Sequence, residues 1–245
     1  MKISYVTSFA ASLLFASATV FANSTDERTP SNQLLEQHQR RLHKKSKKGR
    51  GRGERELTLR IINQTYQQPF SNFFVMVHNE YTDPLYARGE TSSDELATLA
   101  EEGDPSHLIA SYAGANGVLS TSHHHGVAPG GSTDIIIVVD DDYPLVTIAS
   151  MAVNTNDCFV SLNGAALSSG MVLNTPGNDS GSEANNEECR CVPGPACDGA
   201  EFATKGESCG GGEGFVHVHR GVQGIGDLKP EDVDWRNPMM RVIVM

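Results

Sequence analysis

From residue 56 onward the chain consists of short apolar runs cut by turn chemistry, and that rhythm constrains its fold more than any other feature. Leu57, Leu59 and Ile61 alternate with Thr58, Arg60 and Ile62, the period of a strand with one buried face. Residues 73–77, 145–153, 158–162, 215–218 and 241–245 add further short apolar segments. Residues 135–139, Ile-Ile-Ile-Val-Val, form a continuous run that predicts a buried strand. Between the runs stand Pro129-Gly130-Gly131, Asp140-Asp141-Asp142, Asn163-Gly164, Pro176-Gly177 and Gly210-Gly211-Gly212. One helix is predicted, starting at Ser93 with Asp94 and Glu95 behind it, burying Leu96, Leu99 and Ala100, and stopping at Gly103. No repeat of fixed period is present. Many short strands with little helix predict an all-β sandwich.

The N-terminal quarter has a different character. Lys2, an apolar stretch over 6–20 and the small-residue site Val20-Phe21-Ala22 read as a secretory signal over residues 1–22, giving a mature start at Asn23. The stretch is too short and too rich in Ser and Thr for a good membrane span, and no later segment offers one, so no transmembrane segment is expected. Residues 23–55 lack strand pattern beyond a short helical possibility at Leu34, Leu35 and Leu42. Nine Lys and Arg crowd between Arg40 and Arg55. This predicts a disordered basic linker, with readings as a solvated spacer, a dibasic processing site or a contact for an anionic surface. Residues 56–245 then carry eight Lys and Arg against twenty-six Asp and Glu. So acidic a domain repels nucleic acid and attracts cations.

Five cysteines remain. In a secreted chain Cys189, Cys191, Cys197 and Cys209 read as two disulfides, with three pairings open. The spacing lacks the paired C-x2-4-C knuckles of a zinc site. Cys158 reads as a buried free thiol.

Five segments in fixed order carry a likeness to a known family. They are Gln68-Pro69-Phe70-Ser71, Ala100-Glu101-Glu102-Gly103-Asp104, the stretch from Met151 through Asn154-Thr155-Asn156-Asp157 to Phe159, Asp179-Ser180-Gly181-Ser182-Glu183, and Gly214-Phe215-Val216-His217-Val218-His219-Arg220-Gly221. Together they resemble the spondin N-terminal domain, over residues 57–245. The resemblance implies an antiparallel, C2-like β-sandwich with one bound calcium ion, acting as an extracellular adhesion or ligand-binding module. It implies calcium ligands at Asp157, Asp179 and Glu183. Ser180 stands where the family has alanine. Asn178 stands where it often has an aromatic residue, which predicts a less firmly anchored loop. No thrombospondin repeat follows, so functions that need one do not carry over.

The residues themselves agree in kind. Calcium takes six to eight hard oxygen ligands, and two acidic side chains flanking Gly181 can curl round one ion while a third closes the site. An ordinary solvated turn is the plainer alternative. His217 and His219, two apart on a strand, share a face and, with His123-His124-His125, form a second candidate metal set. Val216 and Val218 are expected to face the core, leaving both histidines on the polar side. Asn23, Asn63 and Asn178 begin glycosylation sequons. No catalytic triad, phosphate loop or nucleotide fingerprint is present.

Three functions follow as expectations. The first is a secreted, calcium-stabilised module for a matrix, cell-surface or membrane ligand, with no enzymatic activity. The second is a secreted metal-dependent hydrolase built on the His-x-His strand. The third is a structural protein tethered to an anionic surface by its basic arm.

Overall fold

The structure, a computed structural model, describes residues 53–197 and 209–245. The predicted signal, most of the basic linker and the first sequon lie outside the described residues. In chain order the elements are β1 (Arg55–Asn63), β2 (Phe73–His78), α1 (Asp94–Glu102), α2 (Ser106–Tyr112), β3 (Val118–His124), β4 (Ser132–Val139) and β5 (Leu145–Met151). There follow β6 (Cys158–Ala166), β7 (Val172–Thr175), β8 (Gly177–Asp179), β9 (His217–Val218), α3 (Pro230–Val233) and β10 (Met240–Val244). They form the expected all-β sandwich: a four-stranded sheet ordered β4-β1-β10-β7 and a six-stranded sheet ordered β3-β2-β5-β6-β8-β9, antiparallel throughout.

Alternation explains the core. Leu57, Leu59 and Ile61 of β1 and Met240, Val242 and Val244 of β10 meet Phe73, Val75, Val77, Val146, Ile148 and Val160 of the facing sheet. Burial of each such side chain is worth ~1.5–3 kcal/mol. The outer face of the six-stranded sheet has its own cover. Phe74 and Met76 of β2, with Ala149 and Phe159, pack against Leu96, Leu99 and Ala100 of α1 and Leu108 of α2. β2 is therefore buried on both faces, which accounts for its unbroken apolar run.

The apolar run of β4 has a different cause. Ile135, Ile137 and Val139 point inward, but Ile136 is 61% and Val138 40% exposed. β4 is the edge of the four-stranded sheet, so the expectation of a buried strand holds for one face only. The helix ends follow the sequence reading. The Ser93 hydroxyl accepts from the Leu96 N–H at 3.2 Å, and Gly103 closes α1 in the left-handed region at φ 68°.

The segment after β8 has little apolar content and is fastened covalently. Disulfides join Cys189 to Cys197 and Cys191 to Cys209, resolving the pairing the spacing left open. Cys158 is free and buried; burial, with Asp179 and Asp157 nearby, pushes its thiol well above the usual range. Glu187 adds a polar clamp, its carboxylate accepting from the backbone N–H groups of Gln223, Gly224 and Ile225.

Candidate metal centre

The centre is positioned by strand register. β6 and β8 pair with Cys158 opposite Asp179, so Asp157, one residue before β6, lies beside the loop leaving β8. The Thr155 hydroxyl shapes the turn into β6, donating to the Ala152 carbonyl at 2.6 Å and accepting from the Cys158 N–H at 3.1 Å. The 180–183 loop then folds over the Asp157 carboxylate. Ser180 Oγ, the Ser182 N–H and the Glu183 N–H donate to its Oδ2 at 2.9, 2.9 and 3.1 Å. Gly181 is required here: its φ is +71°, and a Cβ would stand 2.4 Å from the Phe215 carbonyl oxygen.

Asp157, Asp179 and Glu183, the motif-derived ligands, thus come from two segments into one buried neighbourhood, although their oxygens do not all lie within 4.8 Å of one another. Asp179 Oδ1 accepts from the Gly181 N–H at 2.8 Å and Oδ2 from Asn185 Nδ2 at 2.7 Å. Glu183 Oε1 accepts from the Cys209 N–H at 2.8 Å, tying the site to the Cys191–Cys209 bridge. Asp157 Oδ1 is buried and has no hydrogen-bond partner. Each of the three carries an environment hostile to its charge. Burial, then the Asp157 carboxylate, pushes Asp179 up to about 7. Burial also pushes Glu183 up to about 7, with Glu101 and Asp157 adding repulsion. Asp157 is raised chiefly by burial, against the hydrogen bonds it receives. Such a concentration of acid is stable only when protonated or neutralised by a cation.

Glu101, at the end of α1, is a fourth carboxylate of this neighbourhood. Burial raises its pKa, Ser182 hydrogen-bonds to it and lowers it, and Asp157 raises it further. It lies inside a motif segment but was not singled out as a ligand, because its position depends on how α1 packs across β5 and β6.

Among the described residues, the set of His, Asp and Glu side chains whose ligand atoms all lie within 4.8 Å of one another is Asp179, Glu213 and His217. This group, able to hold a metal ion, shares only Asp179 with the motif-derived ligands. His217 is four residues after Glu213, the one local signal that the two belong together.

The two histidines share a face, both turned toward Asp179 on the neighbouring strand, with His217 Nε2 3.6 Å from Oδ1, but that face is not the open polar side expected. Val216 is buried, but Val218 is 44% exposed and His219 is buried. The expectation for Val218 and His219 fails because β9 is only two residues long and the chain turns inward after it. His219 stacks on Trp235, ring centroids 5.1 Å apart, and its Nδ1 accepts from the Gly221 N–H at 2.9 Å. Its Nε2 stands 3.8 Å from Asp179 Oδ2, and burial, with His217 and Arg220 nearby, pushes its pKa down to about 4. The triple histidine lies apart from the centre, at the end of edge strand β3.

Asn178 is anchored by polar contacts where an aromatic residue was the family pattern. Arg88 grips its Oδ1 at 3.0 and 2.8 Å, and its Nδ2 reaches the Tyr86 hydroxyl at 3.2 Å. The loop is held, contrary to expectation. Asn63 and Asn178 are both fully buried, so neither sequon presents its amide for glycosylation. A cleft of about 450 Å³ opens on the far side of His219, lined by Arg220, Val222, Asp234, Trp235 and Arg236 among others.

No helix among the described residues is long and apolar enough to cross a membrane. No protein-family model matches the chain, and comparison with curated proteins finds no relative.

Proposed function

We propose that this chain is a secreted, calcium-dependent binding module of the spondin N-terminal-domain type, which recognises a matrix, cell-surface or membrane ligand. One observation carries the reading: Asp157 Oδ1 is buried without a partner, beside Asp179, Glu183 and Glu101. Four carboxylates raise one another's charge penalty in this partly dry neighbourhood, and drawing them together round a hard cation with many oxygen ligands, the chemistry of calcium, would relieve it. The ion would neutralise the repulsion and hold the 180–187 loop against β6. Two disulfides suit an oxidising, extracellular setting.

The geometry gives the hydrolase reading less support. A metal-dependent hydrolase needs its ligands to converge on a substrate cleft. Of the His-x-His pair only His219 lines the cleft, and Asp179, Glu213 and His217 do not. The cleft is lined by Arg220 and Arg236, but Arg236 is paired with Asp234 of the same cleft and Arg220 lies 4.0 Å from Glu213.

The test is a pull-down of matrix extract and of anionic and neutral lipid vesicles with the secreted protein, in calcium and in chelator. Capture in calcium that is lost in chelator is the expected result. Equal capture in both conditions would remove calcium from the binding role.

A further inference from the structure

We propose that Asp179, Glu213 and His217 form a second metal site, selective for a divalent transition ion of the zinc class and distinct from the calcium centre with which it shares Asp179. His217 Nε2 lies 3.6 Å from Asp179 Oδ1 and 3.6 Å from Glu213 Oε2. That is too long for a hydrogen bond, and Nε2, although buried, makes none. The spacing suits an ion. Zinc bonds of ~2.0–2.2 Å in a tetrahedron set neighbouring ligand atoms ~3.3–3.6 Å apart.

The tautomer suits it too. His217 Nδ1 stands 3.1 Å from the Val218 carbonyl, which can only accept, so Nδ1 carries the hydrogen. In the neutral ring Nε2 then bears a lone pair facing two carboxylate oxygens. Three acceptors turned toward one point are stable only around a cation or with a proton on the ring. Imidazole nitrogen is a ligand for zinc-class ions and a poor one for calcium, which separates this site chemically from the first.

An outer shell orients the ligands. Asn185 Nδ2 donates to Asp179 Oδ2 at 2.7 Å and to Glu213 Oε1 at 3.4 Å. One amide thereby holds both carboxylates by their far oxygens and turns Asp179 Oδ1 and Glu213 Oε2 toward His217. His219, 3.8 Å from Asp179 Oδ2, stands behind the same oxygen. Metal sites depend on such partners for affinity. Glu213 is exposed and His217 partly so, leaving a path for the ion to enter and a coordination position open to water or a ligand group.

The test is zinc titration calorimetry at pH 7.5 on the full secreted chain, without a polyhistidine tag. One ion per chain is expected for wild type. Glu213→Gln and His217→Asn should each weaken binding at least tenfold, and Asn185→Ala by ~10–100-fold. Glu213 is exposed, so its variant should fold normally and remains informative if His217→Asn does not fold. Asp157→Asn and Glu183→Gln should leave zinc affinity within a few-fold, whereas Glu213→Gln should leave the calcium-induced rise in melting temperature intact. The two sites can therefore fail separately. Absence of zinc binding would show that His217 is simply a protonated partner of the two carboxylates and would overturn the proposal. So would zinc affinity that is unchanged in Glu213→Gln, or that falls instead with a His123→Ala, His125→Ala double variant.

Discussion

Asp157 concentrates the calcium argument in one side chain. Four hydrogen bonds, from Ser180, Ser182 and Glu183, satisfy Oδ2, and none reaches Oδ1. Substitution Asp157→Asn keeps the shape and removes the buried charge. Without calcium the variant should melt at or above the wild-type temperature, because a charge penalised by burial is gone. With calcium it should lose most of the ion's stabilisation, which scales with affinity by mass action. Asp140→Asn, in the exposed turn between β4 and β5, should leave the calcium response unchanged. Melting scans in calcium and in chelator decide it; a wild-type midpoint indifferent to chelator would refute the site. A motif orders Asp157, Asp179 and Glu183 along the chain, and the fold gathers them in one buried neighbourhood. Spacing does not point to Glu101 beside these carboxylates, nor to Asn185 and Glu213 beside His217, since each is brought in by packing or loop closure that no spacing rule encodes. His219 was misplaced for a related reason: an open polar side was extended past the end of a two-residue strand.

Elements were easier to read than their surroundings. β1, β2, β5, β6 and β10 fall where apolar period and turns put them, and α1 keeps its Ser93 and Gly103 ends. Missed were α2, which follows α1 after a three-residue link, the one-turn α3, the polar edge strand β3 and the short strands β7 and β8, whose pairing owes more to neighbours than to composition. Periodicity also could not say which strands have a second cover. β2 and β4 both look continuously apolar, yet α1 and α2 pack over β2 while the outer face of β4 remains open. The distinction has energetic consequences. Leu99→Ala, at a fully buried position under α1, should cost ~2–5 kcal/mol through lost contacts and a cavity. Ile136→Thr, on the open face of β4, should change stability by no more than ~0.5 kcal/mol. Urea midpoints of the two variants measure the difference. Comparable losses would mean that a further surface covers β4.

Across the whole molecule, acid and calcium compete for the same groups, so pH and metal must be linked. Asp179 and Glu183 are both pushed up to about 7, well above the ~4 of ordinary carboxylates, and Asp157 and Glu101 are also raised. A carboxyl raised by folding contributes stability that is fully present below its unfolded pKa and is lost as pH rises through the folded one. In chelator these groups should therefore withdraw stability from about pH 4 to above pH 7. His219 has the opposite sign. Its pKa is depressed to about 4, so its contribution is present above the unfolded value of ~6.5 and is lost as pH falls below it. The chelated protein is thus undermined from both directions. Calcium acts only on the carboxylates, taking them in the ionised form that high pH supplies. The calcium-induced rise in melting temperature should be small at pH 5, grow through pH 7 and level off above pH 8, while the acid-side loss due to His219 persists in both conditions. Melting scans at half-unit pH intervals from 5 to 8.5, in calcium and in chelator, follow the two curves. A calcium effect equally large at pH 5 and pH 8 would mean that the bound ion does not depend on these raised carboxylates, and would move the binding site elsewhere.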